Sequence, residues 1–180
     1  MTTLVLFNKP YGVLSQFTDA DNRQTLADFI QLKNIYPAGR LDKDSEGLLL
    51  LTDNGKLQQQ ISNPKHQHWK TYWVQVEGTP SSNDLIPLQQ GILLKDGQTR
   101  PARVKKIPAP TVWQRDPPIR VRQNIADCWL EIQICEGKNR QVRRMTAKIG
   151  FPTLRLIRVQ VWKWQLQDLP LGEFKVLRLN

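Results

Sequence analysis

The residue with the clearest chemical potential is Asp42, which lies between Arg40 and Lys43 just before an apolar run, Gly47–Thr52. Neighbouring cations favour the charged form of a carboxylate. A carboxylate that stays charged at the edge of a buried segment can act as a nucleophile or as a base. Because the chain carries a formal net charge of +10, an acid kept among cations predicts a chemical role for Asp42.

A second block with chemical potential, Glu136–Met145, is rich in arginine. The pattern predicts an amphipathic helix over Lys138–Ile149. On that helix Arg140, Arg143 and Arg144 would share one face. Guanidinium groups bind phosphates bidentately or hold a carboxylate. A basic face that is merely solvated is the alternative, and the block alone does not decide between them.

Tyr72 is the third candidate. It belongs to an alternating run that places Tyr72, Val74 and Val76 on one face of a predicted strand. Beside a basic patch, a tyrosine can stack on an extruded base and offer its hydroxyl for proton transfer. The alternative is a core tyrosine whose hydroxyl is satisfied locally.

The remaining acids and thiols predict no metal site. Asp44 and Glu46 suggest magnesium ligands, but Arg40 and Lys43 would compete with the ion. Two cysteines without a CxxC pair, and two histidines without metal spacing, do not form a zinc site. A Rossmann fingerprint and a P-loop are also missing. We therefore expect neither a metal nor a cofactor.

The basic charge is concentrated in one stretch of the chain. Residues 100–163 hold 15 lysines and arginines against four acids, a balance of +11, whereas the remaining residues balance at −1. This clustering predicts a surface that faces a polyanion such as a nucleic acid.

No apolar run reaches the about 18 residues that a membrane span needs, and the N-terminus lacks a signal-peptide pattern. We expect a cytoplasmic monomer with no protein partner.

The elements that position these residues are predicted to form an α+β fold, with a mixed, largely antiparallel sheet and a few packed helices. We expect a single domain over residues 1–180 that consists of two intimately packed halves. Short helices are predicted at Thr25–Ile30, from Lys56 to Ile61, and from Ser81 or Ser82 to about Gln90. Strands are predicted at Thr3–Phe7, Gly47–Thr52, Thr71–Val76, Asp127–Cys135, Thr153–Trp164 and Glu173–Leu179. A hairpin is predicted between Ile92–Leu94 and Ala102–Ile107, and residues 108–124 are predicted to be an irregular basic loop.

Four ordered blocks resemble the motifs of the RsuA-type pseudouridine synthases, which act on bacterial ribosomal RNA. The blocks are Asn8–Gly12, Gly39–Thr52, Lys70–Tyr72 and Gly137–Met145. The resemblance extends over residues 8–158 and favours the members that modify 23S, large-subunit rRNA. It implies a cofactor-free isomerisation of uridine to pseudouridine on a base turned out of its stack. Most members also carry an N-terminal S4 domain, for which we find no counterpart before Asn8.

The resemblance also implies residue roles. Asp42 matches the catalytic aspartate, Tyr72 the tyrosine that stacks on the base and is a candidate for deprotonating C5, and Arg143 the basic residue paired with the aspartate. Residues expected to contact RNA or line the cleft are Lys9, Arg40, Lys43, Lys138, Arg140, Arg144 and Arg158. The substrate would be rRNA, either naked or in an assembling particle.

Two questions stay open at this point. Asp42 can attack C1′ as a nucleophile or act at C2′ as a base. The charge pattern also fits a non-catalytic rRNA-binding protein, although such a protein has no need for the Asp42 carboxylate. A metal-dependent nuclease is a third possibility, which would be sensitive to EDTA.

Overall fold

The computed structural model describes residues 1–180 and confirms an α+β fold with a largely antiparallel sheet. The strands are β1 Thr2–Lys9, β2 Tyr36–Pro37, β3 Glu46–Thr52, β4 Lys70–Glu77, β5 Leu93–Leu94, β6 Gly97–Gln98, β7 Arg103–Ile107, β8 Asp127–Ile134, β9 Thr153–Val161, β10 Trp164–Gln165 and β11 Phe174–Leu179. The helices are α1 Gly55–Ser62, α2 Ser82–Gln90 and α3 Gln141–Lys148, and single 3₁₀ turns lie at Leu26–Asp28 and Pro64–His66. The chain divides into two compact units. Unit 1 contains 1–68 and 158–180, and unit 2 contains 69–157.

Unit 1 is organised around β1, which pairs antiparallel with both β3 and β11. Every residue of β3 is buried, as expected for an uninterrupted run of leucines. Phe7 pairs with Leu49 on one side and Phe174 on the other. The aromatic ring of Phe7 lies 5.5 Å from that of Phe29. These side chains form a hydrophobic core whose burial stabilises the unit.

Unit 2 is organised around β8, which lies between β4 and β7 with antiparallel pairing on both sides. Tyr72, Val74 and Val76 of β4 are buried on one face, as the alternation predicted. They pack in one core with Leu88 of α2 and Met145 of α3. The predicted irregular segment 108–124 contains no helix or strand.

Local capping chemistry explains where the helices begin. Thr25 caps the turn Leu26–Asp28 through a capping box with Asp28. Ser81 caps α2 in the same way with Asp84. In both cases the hydroxyl satisfies a backbone N–H that has no partner within the helix. The predicted start signals at Thr25 and Ser81 are confirmed.

Three predicted elements were wrong in extent or pairing. The basic helix begins at Gln141, because Arg140 adopts a left-handed backbone (φ 48°) as the N-cap. The predicted partner of the Leu93–Leu94 strand was Ala102–Ile107, but its partner is Gly97–Gln98. Arg103–Ile107 instead pairs with β8, which offers a longer ladder. The strand predicted at Thr153–Trp164 ends at Val161. The chain turns back at Trp162 (φ 52°), so that Trp164 pairs with Val161.

Candidate active site

Asp42 lies in the loop between β2 and β3, half-buried, with Leu41 anchored in the core of unit 1. Ser15 holds the backbone of Leu41 on both sides, since its hydroxyl donates to the Leu41 carbonyl (2.7 Å) and accepts from the Leu41 N–H (3.1 Å). The Ser45 N–H donates to the Asp42 carbonyl at 3.0 Å. The backbone on both sides of the Asp42 side chain is therefore fixed before any substrate arrives, which is what a positioned catalytic group requires.

A third anchor acts one residue later. The carbonyl of Lys43 accepts the N–H of Gly12 at 2.8 Å. It also accepts the ammonium of Lys9 at 3.4 Å. The same ammonium donates to the carbonyls of Pro10 (2.9 Å) and Val13 (2.7 Å). Lys9 thus ties the end of β1 and the turn that follows to the loop that carries Asp42.

Lys9 is completely buried, and this burial lowers its pKa from 10.5 to about 7. The carboxylates of Glu46, Asp44 and Asp42 raise the pKa and offset part of the effect, whereas Arg158 lowers it further. An ammonium in a low-dielectric interior is costly unless it has hydrogen-bond acceptors and nearby negative charge, and this site supplies both.

The predicted RNA contacts of Lys9 and Arg158 find no support in unit 1, because both side chains are buried. Arg158 is only 4% exposed, and its Nε donates to the Leu48 carbonyl at 2.8 Å. Both cations therefore stabilise the strands around the Asp42 loop. Arg40 and Lys43, by contrast, have exposed side chains beside Asp42. Arg40 donates to Gln16 at 3.0 Å.

In unit 2, the basic block is supported by a buried glutamine that sequence reasoning missed. Gln141 accepts the N–H of Lys138 at 3.0 Å and donates to the carboxylate of Glu136 at 2.7 Å. The same Glu136 oxygen accepts the Arg100 N–H at 2.7 Å. The residue type of Gln141 gave no sequence signal for this role. The network shapes the turn that presents Lys138 and Arg140.

The arginines of the basic block have different environments, so they do not form one uniform face. Arg140 is exposed at the N-cap, and Arg143 is half-buried on α3. Arg144 forms a two-pronged ion pair with Asp96, at 2.7 and 3.1 Å. Hydrogen bonding to Arg144 lowers the pKa of the Asp96 carboxyl. The predicted RNA contact of Arg144 must therefore compete with an internal partner.

Tyr72 is 8% exposed within the core of unit 2. Its neighbour Lys70 donates to the Glu136 carbonyl at 3.2 Å, which links the start of β4 to the basic block. The burial of Tyr72 does not test its predicted role on the base, which stays a prediction.

Nowhere in the chain do three or more His, Cys, Asp or Glu side chains form a group that could hold a metal ion. None of the helices has both the length and the apolar composition that a membrane span requires.

Comparison with known proteins places this architecture among characterised relatives. The chain is 57% identical over 176 residues to Ribosomal large subunit pseudouridine synthase E of Vibrio parahaemolyticus, covering 98% of this chain and 74% of the relative. It is equally similar, at 57%, to the protein of the same name from Xanthomonas campestris, covering 96% and 94%. Ribosomal large subunit pseudouridine synthase B of Bacillus subtilis is 36% identical, covering 96% and 66%.

The solved structures agree with the sequence comparison. A crystal structure of a pseudouridylate synthase superposes with a TM-score of 0.82 at 29% identity, covering 99% of this chain and 71% of that one. Residues 3–148 match the family described as RNA pseudouridylate synthase. The resemblance inferred from the four motif blocks is therefore confirmed. This chain belongs to the RNA pseudouridylate synthase family.

Proposed function

We propose that this protein isomerises a uridine of 23S, large-subunit rRNA to pseudouridine, with Asp42 as the catalytic carboxylate. Family membership makes the reaction class that of a pseudouridine synthase. Support for the RNA class comes from relatives that share 57% identity and are named for the large ribosomal subunit. The observation that carries the role of Asp42 is the fixed loop, in which Ser15, Ser45 and Lys9 hold the backbone on both sides of its side chain.

The reaction breaks the C1′–N1 bond, turns the uracil and joins C5 to C1′. The proton on C5 is then lost and N1 gains one, so atoms balance without water, an oxidant or a cofactor. Asp42 can assist by attacking C1′ or by removing the C2′ proton, and both routes need a charged, positioned carboxylate. The nucleotide must first leave its stack, at a cost of a few kcal/mol. Phosphate contacts from exposed cations such as Arg40 and Lys43 would offset that cost.

We extend the proposal to Tyr72 and Arg143, in the roles that the family resemblance implies. Tyr72→Phe keeps the ring but removes the hydroxyl, so it should bind RNA normally and turn over slowly if the hydroxyl moves the C5 proton. Tyr72→Leu should weaken binding as well. Arg143→Ala should lose turnover. Single-turnover rates and RNA affinities measured on the same preparations separate these outcomes.

The decisive test of the proposal is Asp42→Asn, compared with Asp168→Asn, which removes an exposed carboxylate of unit 1. Asp42→Asn should bind rRNA with unchanged affinity and release no tritium from C5-labelled uridine, whereas Asp168→Asn should retain wild-type turnover. Near-normal tritium release by Asp42→Asn would refute the assignment. Mapping pseudouridine in rRNA from cells with and without the protein then identifies the modified nucleotide.

Two further parts of the proposal concern the cellular setting. We propose that the protein acts in the cytoplasm, where bacterial rRNA is made and assembled, either on naked rRNA or on an assembling particle. We also propose that it acts as a monomer. Light scattering after size exclusion tests the monomer, and comparing turnover on free 23S rRNA and on assembly intermediates tests the form of the substrate. Fluorescence microscopy of the tagged protein in living cells tests its location.

A further inference from the structure

An open cavity of about 370 Å³ lies in unit 2 against the irregular segment 108–124, and no residue of the basic block lines it. Its floor is formed by Gln75 of β4, Trp129 of β8 and Arg155 of β9, and Trp113 and Arg115 of the segment form a wall. This volume falls within the range of about 300–1,000 Å³ typical of small-ligand sites. Neither the motif blocks nor the proposed reaction gives this cavity a role.

The cavity wall is built in place by two arginines. Arg155 is only 7% exposed, and its Nη2 donates to the Trp113 carbonyl at 2.9 Å. Arg115 donates to the Leu154 carbonyl at 3.3 Å and also to the Pro117 carbonyl at 2.8 Å. These bonds hold a segment without helix or strand against the sheet. The site is therefore preformed, which lowers the entropic cost of binding a ligand.

The lining combines groups that recognise a planar, hydrogen-bonding, negatively charged ligand. The partly exposed indole of Trp113 offers a flat apolar surface, and the largely buried Trp129 closes the bottom of the pocket. The Arg155 guanidinium lies 5.8 Å from the Trp113 ring centroid. Amide side chains from Gln75 and Gln114 add polar groups at the edge. Indole stacking combined with arginine is how proteins bind the bases of single-stranded nucleic acids.

Charge complementarity identifies the source of that ligand. The segment 108–124 contains three arginines and a single acid, and it belongs to the stretch 100–163 that balances at +11. Arg120 and Arg122 of the segment are exposed. A polyanion attracted to this surface would bring its bases to the cavity. Stacking on an indole requires a base whose face is not covered by its neighbours, which favours an unpaired RNA nucleotide.

We propose that this cavity, defined by Trp113, Trp129 and Arg155, binds an unpaired nucleotide of the RNA substrate other than the uridine that is modified. The site would help to select RNA by binding the base of that nucleotide against the Trp113 indole. This inference deepens the proposed function, because it assigns a specificity site to an RNA that the enzyme acts on elsewhere.

The first test measures the affinity of a fluorescein-labelled, mixed-sequence 12-nucleotide single-stranded RNA by anisotropy. Base stacking on an aromatic side chain contributes about 1–3 kcal/mol, so Trp113→Ala should weaken binding by about fivefold or more. Trp113→Phe should stay within about twofold because it keeps an aromatic surface. The matched control is Trp69→Ala, whose indole is already covered by Arg103 at 4.0 Å, and it should bind like the wild type.

A second measurement protects the test against a simple folding defect. The same RNA carrying 5-iodouridine at single positions, irradiated with the wild-type protein, should crosslink to the peptide containing Trp113. Equal affinities for Trp113→Ala and the wild type, no crosslink to that peptide, or no measurable binding of the 12-mer would each overturn the proposal. The assay needs no turnover. Near-normal turnover by Asp42→Asn would refute the catalytic assignment, yet RNA binding by that variant would still depend on Trp113, so the two proposals can fail separately.

Discussion

Replacing Lys9 by methionine should remove a pH dependence from the stability of this protein. The Lys9 ammonium has no exposed surface and donates to the carbonyls of Pro10, Val13 and Lys43. Its burial lowers the pKa to about 7, although neighbouring carboxylates oppose the shift. Lys9 therefore loses its proton in the folded state at a pH where the unfolded chain still keeps it.

The sign and size of the effect follow from this difference. Between the folded pKa of about 7 and the unfolded value of 10.5, the unfolded chain binds more protons than the folded chain. The free energy of unfolding therefore rises with pH across that window. One proton contributes about 1.4 kcal/mol per pH unit. Integrated from about pH 7 to about pH 9.5, Lys9 should add about 3 kcal/mol to the stability of the wild type.

The assay is urea denaturation followed by tryptophan fluorescence, repeated across this pH range for the wild type, Lys9→Met and Lys33→Met. Loss of the ammonium also leaves the Pro10 and Val13 carbonyls without this donor, which costs about 1–3 kcal/mol per buried group. That cost applies once Lys9 is removed, whatever the pH. The informative quantity is therefore the difference in the free energy of unfolding between the wild type and Lys9→Met, followed as a function of pH.

The wild type should gain stability relative to Lys9→Met as the pH rises. Lys33→Met, which removes an exposed lysine, should run parallel to the wild type. Parallel curves for the wild type and Lys9→Met would refute the reasoning, because they would mean that Lys9 titrates alike in the folded and unfolded states.

Three further predictions concern the surroundings of the site. Ser15→Ala should lower the free energy of unfolding by about 1–3 kcal/mol, because the buried Leu41 backbone loses its partner. It should also reduce kcat more than RNA affinity. Denaturation measures the first effect and single-turnover kinetics the second, and an unchanged kcat would contradict the positioning role. Arg144→Gln should lower the urea midpoint at neutral pH, and this difference from the wild type should disappear as the pH falls below 3.8. The reason is that Arg144 lowers the pKa of Asp96, so the pair stabilises the fold only while the Asp96 carboxyl is charged. A difference that persists in acid would point to packing instead. Leu49→Ala should cost about 2–5 kcal/mol as a cavity opens in the unit 1 core, and a smaller loss in calorimetry would mean that the core collapses around it.

Much of the fold was predictable because its signals are local. The apolar run before Thr52 predicted a buried strand, and all seven residues of β3 are buried. Alternation predicted the buried face of Tyr72, Val74 and Val76. Thr25 and Ser81 were predicted as helix caps from their side-chain chemistry. Each of these features depends on residues only a few positions apart.

Burial of charge was not predictable from the same patterns. The family resemblance led us to expect that Lys9 and Arg158 contact RNA or line the cleft. Both are buried, since carbonyls and carboxylates from separate segments of unit 1 meet them. The left-handed backbone of Arg140, which delays the start of the predicted helix until Gln141, likewise carries no signal in residue type.

The amino-acid sequence by itself determined the family, the α+β class and the identity of the candidate carboxylate. The ordered motif blocks and the charge clustering contain that information without reference to contacts. Only the tertiary structure decided how the Asp42 loop is held, through Ser15 and the buried ammonium of Lys9, and that Trp113 and Arg155 line an open cavity. The physical reason is that a residue's burial and hydrogen-bond partners depend on segments distant in sequence, which local pattern does not record.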